Sequence, residues 1–548
     1  MKLRKSYGCL ISLDFFKAYD RVFLGFLLKV MKKMNFGKTF ISWIAMLHKN
    51  AQTRFILSSL SQAIAVNFSI RQGDPIAMIL YIIYVEPLLV ALEERLAGLP
   101  MPHALQDQSN DKEVLEGYCD DLNILTNDLE DFEKLAAIIT SFEGYSGAIL
   151  SRNYKCKVIG FGKWVNKDNW PIPWLRTVRS VKIFGIFISD SYSEIINDNW
   201  NFRFEKFKNS VMSWSTRALV SVQQKVEVIK IFALSRIYFV ASILPMRVKM
   251  INKIESFIGK FIWAGSGILR VALQELKHDK LKGGLNLPCV ATMNKSLLSS
   301  QCLRLLNSGD SKSVSHIHFW LGPLLPSIFP NMGLIPVARD TPEYFSFIGD
   351  CLATLMIEDV LTALTATVLT NRVIYRNMLK LEKPKVERDF PNVNFTKIWK
   401  LWQEYVPAEN IDIMLKLLHN KLPVPERLRR VGVMANSLCV FCPGQDADIV
   451  HVLTSCLRVK ICWTWLRRKV AGICQSLSQY SDWDLLHLNL PNSMRQKGIV
   501  WLISHYISYA WKHYSTAQGE MNLGQFFGFL TFKYKESQFN FDSIGFNL

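Results

Sequence analysis

Two adjacent aspartates, Asp120 and Asp121, stand between apolar runs at residues 114–118 and 122–125, and a third, Asp14, closes the apolar run 9–13. Side by side, carboxylates repel one another and lose hydration unless a cation stands between them. A divalent ion removes that cost. Phosphoryl transfer from a nucleoside triphosphate uses two such ions, one to lower the pKa of an attacking 3′-hydroxyl and one to neutralise the leaving pyrophosphate. Mg2+ takes oxygen ligands and keeps several waters, so a few carboxylates suffice. Aspartate is also a common turn residue, and taken alone the pair reads more readily as an ordinary turn.

A second constellation has a different chemistry. Cys439, Cys442, His451 and Cys456 follow the pattern Cys-x2-Cys-x8-His-x4-Cys, with Pro443-Gly444 behind the first pair to make a tight turn. These are the ligand types and compact spacing of a structural Zn2+ site, with free buried thiols as the alternative. Four protein ligands leave no open position, so the ion would stabilise and not catalyse. Cys462 is a spare thiol nearby, and Arg427, Arg429, Arg430, Arg458 and Lys460 surround the cluster in sequence.

The acidic residues need a scaffold, and the periodicity supplies one. Residues 9–13 read as a buried strand, 114–118 and 122–125 as a hairpin with Cys119-Asp120-Asp121 at its turn, and 158–161 and 181–188 as further strands. Helical spacing covers 20–35, 39–48 and 128–142, and Gln72-Gly73-Asp74-Pro75 is a turn from which Pro75 opens an apolar helix to about residue 96. Residues 54–57 and 65–70 alternate like paired strands, and 100–111 reads as a loop. From about residue 199 the pattern becomes almost wholly helical. Between Trp200 and Val290 there are 15 Lys or Arg against 5 Asp or Glu, with Trp214, Phe232, Tyr238 and Trp263 interleaved.

Bulk properties agree with a folded, multidomain chain that meets a polyanion. Of 548 residues 49% are apolar, too many for a disordered chain, and the net charge is +19. A solvated basic surface accounts for such a charge equally well. The most apolar run, 76–85, is cut short by Glu86 and Pro87, below the roughly 20 residues that cross a bilayer. Asp14 interrupts the first apolar stretch, which argues against a secretory signal. The eleven cysteines are therefore expected to be reduced thiols or metal ligands, and the location nuclear or cytoplasmic.

In order and spacing these motifs resemble the reverse transcriptase palm of non-LTR (LINE-type) retrotransposons. Leu13-Asp14-Phe15-Phe16-Lys17-Ala18-Tyr19-Asp20-Arg21-Val22 is similar to motif A, Arg71-Gln72-Gly73-Asp74-Pro75 to motif B, and Tyr118-Cys119-Asp120-Asp121 to motif C. Ser146-Gly147 and Lys155 resemble the motif D region, and Val181-Lys182-Ile183-Phe184-Gly185-Ile186 the strand that follows. The resemblance implies an α+β fold: a right-hand polymerase palm of antiparallel sheet with helices (1–195), a basic helical thumb (196–300), a helical connector (301–430), a zinc-binding module (431–475) and a helical tail (476–548). It implies RNA-directed DNA synthesis by target-primed reverse transcription, with an RNA template, a DNA primer or target and deoxynucleotides as partners.

The resemblance also assigns residues. Asp14, Asp120 and Asp121 would hold two Mg2+ ions, and Lys155 would protonate or stabilise the pyrophosphate, or be a plain exposed lysine. Tyr19 falls where the family has a steric gate against a ribose 2′-hydroxyl, or is a core aromatic. Gln72 and Gly73 would lie under the nucleotide and template, Arg71 would touch phosphate or cap the turn, and Tyr118 belongs to the same nucleotide-binding set. Cys119 fills a position that is usually Ala. Because motif A lies so near Met1, the upstream fingers and a nuclease domain are expected to be missing. The competing reading is a silent remnant that only binds nucleic acid.

Overall fold

Strand β1 (Gly8–Asp14) is buried on both faces for most of its length, which requires neighbours on both edges. In this computed structural model it has them. The structure describes residues 7–49, 51–56, 60–65, 69–71, 73–101, 111–152, 155–217, 221–263, 271–322, 341–356, 370–491, 496–516 and 521–536. The chain divides into two compact units, Met1–Phe202 with Ser299–Val368 and Arg203–Leu298 with Leu369–Leu548. The stretch expected as a connector, 301–430, is divided between the two units after residue 368.

In the first unit β1 is followed by α1 (Leu24–Lys33), α2 (Lys38–His48), the short pair β2 (Gln52–Thr53) and β3 (Ile64–Ala65), and α3 (Ala77–Arg95). Then come β4 (Leu99–Pro100), β5 (Lys112–Glu113), β6 (Leu115–Tyr118), β7 (Asp121–Thr126), α4 (Glu130–Ser146), β8 (Lys157–Phe161), β9 (Arg176–Thr177), β10 (Ser180–Ile183), β11 (Ile186–Ser189) and α5 (Tyr192–Ser215). The central sheet runs β6-β7-β1-β8-β9, antiparallel except for β8 with β9. Its helix-facing side carries Ile11, Leu13, Leu122 and Ile124, packed with Leu80, Tyr84, Phe132, Leu135 and Phe142 of α3 and α4 in one core. This is the α+β architecture expected from the sequence.

Several boundaries differ from the periodicity reading. Residues 20–35 do not form one helix: a single 3-10 turn, Ala18–Arg21, precedes α1, because Val22 (φ −65°, ψ 114°) and Phe23 (φ −79°, ψ 111°) take extended backbone between them. Helix α3 starts at Ala77, after Asp74 Oδ1 has accepted a bond from the Ile76 amide at 3.2 Å; Pro75 lies in the turn before it. Of the strand pair read at 54–57 and 65–70, residues 57 and 66–68 lie outside the described residues; among those described, the pairing is β2 with β3, with Gln52 opposite Ala65 and Thr53 opposite Ile64. The loop expected at 100–111 lies mostly outside the described residues, but its ends pair as β4 and β5.

The second unit is helical. Helices Val222–Val228 and Ser235–Ala241 are joined by a π-helical turn, Ile229–Ala233, and Val248–Trp263 packs beside them. Gly283 (φ 78°) and Gly284 are needed where they stand. A Cβ on Gly283 would come within 2.3 Å of the Trp399 ring, and one on Gly284 within 1.9 Å of the His278 carbonyl oxygen. Trp263 is buried, as core aromatics should be, whereas Phe232 is exposed and packs on Trp214 at 4.7 Å with the Arg217 guanidinium over the indole at 4.3 Å. Among the described residues no helix is long and apolar enough to cross a membrane.

Candidate functional site

Register brings the first two carboxylates together. β1 and β7 pair antiparallel so that Asp14 stands directly opposite Asp121, and β6 pairs with β7 so that Tyr118 stands opposite Asp121 from the other side. Directly opposed residues point to the same face, with Cβ atoms about 5 Å apart. Asp120 lies between them in sequence, in the two-residue turn Cys119-Asp120, where Cys119 takes a left-handed conformation at φ 53°. Burial and the charges of Asp120 and Asp14 push the Asp121 carboxyl above the usual range. Partial burial and neighbouring like charges both disfavour an ionised carboxylate.

Asp14 carries the clearest sign of an unmet demand. Its Oδ2 is buried and accepts no hydrogen bond. The Lys155 ammonium comes within 3.1 Å of that oxygen, off the line of a hydrogen bond, so the contact is charge on charge. The Asp14 main chain is pinned from the other edge, since the Ser151 amide donates to its carbonyl at 2.8 Å and Phe15 bridges Leu150. An all-oxygen donor set with one orphaned lone pair suits a hard divalent cation such as Mg2+. The three aspartates do not close into a tight ligand cluster here; among the described residues only the cysteine–histidine group does so.

Tyr19 reaches the acidic hairpin. Its ring stacks on Tyr81 of α3 (centroids 4.8 Å apart, planes 24° apart), and its hydroxyl pKa rises to about 12 through burial, a hydrogen bond with Cys119 and the charges of Asp120 and Tyr118. The Tyr19 carbonyl accepts from the Ile70 amide at 2.9 Å, which ties the residues before the Gly-Asp-Pro turn to the first acidic element. In that turn the Asp74 amide donates to the Arg71 carbonyl at 3.1 Å, and Gly73 takes φ 91°. Gln72 lies outside the described residues. Tyr118 is exposed and meets Phe184 edge-on at 6.1 Å.

The zinc ligands converge without exception. Cys439, Cys442, His451 and Cys456 are all buried, and their ligand atoms lie within 4.8 Å of one another. The Cys456 sulfur is 3.9 Å from that of Cys439 and 3.7 Å from that of Cys442. A tetrahedron with Zn–S bonds of about 2.3 Å has edges of about 3.8 Å. His451 Nε2 is buried and makes no hydrogen bond, while Nδ1 contacts Ser455 Oγ at 3.3 Å. The knuckle is built by the Cys439 amide donating to the Gln445 carbonyl at 2.8 Å, with Gly444 at φ 78°. Without an ion, burial drives the Cys456 thiol to about 12. Cys462 is buried apart from the cluster, toward the Met521 carbonyl.

Residues 1–188 match the family described as reverse transcriptase (RNA-dependent DNA polymerase), and residues 372–463 match zinc-binding in reverse transcriptase. Residues 1–188 are thus similar to the reverse transcriptase domain, and residues 372–463 to the zinc-binding region of reverse transcriptases. It is 25% identical over 308 residues to the transposon TX1 uncharacterized 149 kDa protein of Xenopus laevis, a stretch that is 55% of this chain and 23% of that protein. The chain thus spans under a quarter of this relative's length. Among solved structures, telomerase from Candida albicans in complex with a TWJ fragment of telomeric RNA aligns at 10% identity and a TM-score of 0.20, over 56% of this chain and 48% of that one. A likeness that slight carries no argument.

The first unit holds site features that the periodicity did not reveal. Residues 180–189 form a hairpin of their own, β10 with β11, and its turn residues Phe184 and Gly185 both have positive φ (46° and 87°). That hairpin presents Phe184 to Tyr118. Tyr81 was part of an undifferentiated apolar run in the sequence. The buried carboxylate of Asp131 gave no signal either. It accepts from the Ala97 and Gly98 amides and from Thr126 Oγ1 at 2.5 Å, locking the end of β7 to the end of α3. His48, at the end of α2, is buried with Nε2 unbonded; its nearest charges, Asp74 and Arg71, belong to the Gly-Asp-Pro turn.

Proposed function

We propose that this chain is the RNA-directed DNA polymerase portion of a non-LTR retrotransposon protein, extending a primer 3′-hydroxyl with deoxynucleotides on an RNA template. The observation that carries the reading is the in-register opposition of Asp14 and Asp121 beside Asp120, with one buried Asp14 oxygen left unbonded. When bound there, two Mg2+ ions would activate the attacking hydroxyl and neutralise the leaving pyrophosphate. Asp14 would offer its Oδ2, Asp121 its exposed carboxylate, and Asp120 the carboxylate at the turn. Tyr19, braced by Tyr81, would stand as a rigid wall against a 2′-hydroxyl. Gly73 would leave room for close backbone approach of a nucleotide, with Gln72 expected beside it from the motif and Arg71 to touch phosphate. Lys155, largely exposed at the rim, would meet the leaving group.

Zn2+ would be held by Cys439, Cys442, His451 and Cys456 and would stabilise the fold of that segment. The basic helices after residue 200 would grip phosphates without reading sequence. The test is extension of a DNA primer annealed to RNA by the purified chain in Mg2+. Extension that Asp120→Asn abolishes supports the reading. Salt-sensitive nucleic-acid binding that survives replacement of all three aspartates, with no extension by the intact chain, would instead favour the silent remnant.

A further inference from the structure

The Lys155–Asp14 contact is unusual for its setting. Asp14 and Asp121 face one another with Asp120 in the adjoining turn, and among the described residues Lys155 supplies the lone ammonium or guanidinium nitrogen within 4.0 Å of any of the three. Its side chain is 63% exposed while that of Asp14 is 32% exposed, so the ammonium reaches in from solvent to a shielded oxygen. The backbone around Lys155 is held independently of that contact. Arg152 pairs with Glu143, whose Oε1 also accepts from the Leu150 amide at 2.8 Å, and Cys156 is buried at the entrance to β8. The Lys155 amide donates to the Ser151 carbonyl at 3.4 Å, and Ser151 in turn holds the Asp14 main chain. The ammonium can therefore leave Asp14 by rotation of its own four-carbon stem, with no strand moving.

We infer that Lys155 is a displaceable counter-ion seated on Asp14 Oδ2, so that its ammonium and a divalent cation exclude one another at that oxygen. This rests on the reading of Asp14 as a cation ligand. In the cation-free state Lys155 relieves the crowding of Asp14, Asp120 and Asp121. Once displaced, its ammonium is free to face a leaving pyrophosphate, so the residue is available to substrate only when the acidic site is loaded. An exposed ion pair of this kind supports a modest competition, about two- to fivefold in cation affinity.

The experiment titrates Mn2+ into the zinc-loaded full chain, without nucleic acid or nucleotide, and reads free Mn2+ by electron paramagnetic resonance. Lys155→Ala is expected to tighten binding by about two- to fivefold, and Lys155→Arg to bind like the wild type. Lys157→Ala is the control: it removes the same charge from β8, opposite Ser12, and should tighten binding less. Equal tightening by Lys155→Ala and Lys157→Ala would mean a general field effect and overturn the inference. So would an unchanged Lys155→Ala alongside an Asp121→Asn that weakens binding, an outcome that leaves the acidic site standing. If Asp121→Asn leaves Mn2+ binding untouched, the cation-ligand reading fails and takes the inference with it. Lys155→Gln carries the same expectation should the alanine variant unfold.

Discussion

Replacing Asp121 by Asn should make the cation-free protein more stable while disabling its acidic site. Asp14 and Asp121 face each other in register. Charges about 5 Å apart repel by roughly 3 kcal/mol at an effective dielectric of 20 and by about 0.8 kcal/mol in bulk water. Asp121 is exposed and Asp14 about one-third so, which puts the cost near the aqueous limit, about 1 kcal/mol. Hydrogen exchange of the β7 amides reads this locally: protection should rise about fivefold in Asp121→Asn in magnesium-free buffer. The pH dependence follows from the raised pKa of Asp121. With its folded value above its unfolded one, the penalty is absent below the ordinary carboxylate range and develops as pH rises through the raised value. The gap between variant and wild type should be full at neutral pH and close on acidification. A variant less stable than the wild type at neutral pH, or a gap indifferent to pH, would refute the argument that the carboxylates oppose one another.

Zinc should be present at one ion per chain by atomic absorption; Cys456→Ser should lose it, and with it binding free energy on the order of 10 kcal/mol, seen as new proteolytic cleavage around residues 431–475. Tyr19→Val should erode the preference for deoxynucleotides over ribonucleotides by about 10- to 200-fold, measured as the ratio of kcat/KM values; an unchanged ratio would make Tyr19 a core aromatic and nothing more. Cys119 holds φ 53° in the acidic turn, so Cys119→Gly should fold at least as well as the wild type while the β-branched Cys119→Val loses about 1–2 kcal/mol, both read from urea midpoints.

What could be read from the sequence was whatever is encoded locally. The strand ending at Asp14 and the hairpin around Asp120-Asp121 are runs of a few residues whose alternation and apolarity are fixed by burial on a sheet, and they were recovered within a residue or two. The zinc ligands are also local, because a Cys-x-x-Cys turn and a His five residues before a Cys place their own atoms. What was not legible depends on distant chain segments. Nothing near Lys155 announces that its ammonium rests on Asp14, or that Tyr19 leans on Tyr81. Asp131 lies in a helical stretch with nothing nearby in sequence to mark it, yet it is buried and accepts from two amides just past the end of α3. Nor does periodicity reveal that residues 299–368 join the compact unit formed by the first 202 residues.

One class of feature escaped for a reason that bears on function. Left-handed backbone is anticipated at Gly and Asn, and the Asn residues at 35, 286 and 420 conform. Apart from Ser69 (φ 152°) and Leu488 (φ 60°), the residues that do not are Lys17, Cys119 and Phe184, at φ 47°, 53° and 46°. Each lies beside the acidic site: Lys17 two residues before Tyr19, Cys119 in the turn with Asp120, and Phe184 against Tyr118. Such a conformation costs a bulky residue about 1–2 kcal/mol, and it persists only where the surroundings over-determine it. Here the surroundings are identifiable. The in-register pairing of β1, β6 and β7 fixes both ends of the Cys119 turn, and the pairing of β10 with β11 fixes those of Phe184. The sheet therefore does more than carry the carboxylates. It holds the turns around them in conformations that their own residues would not choose.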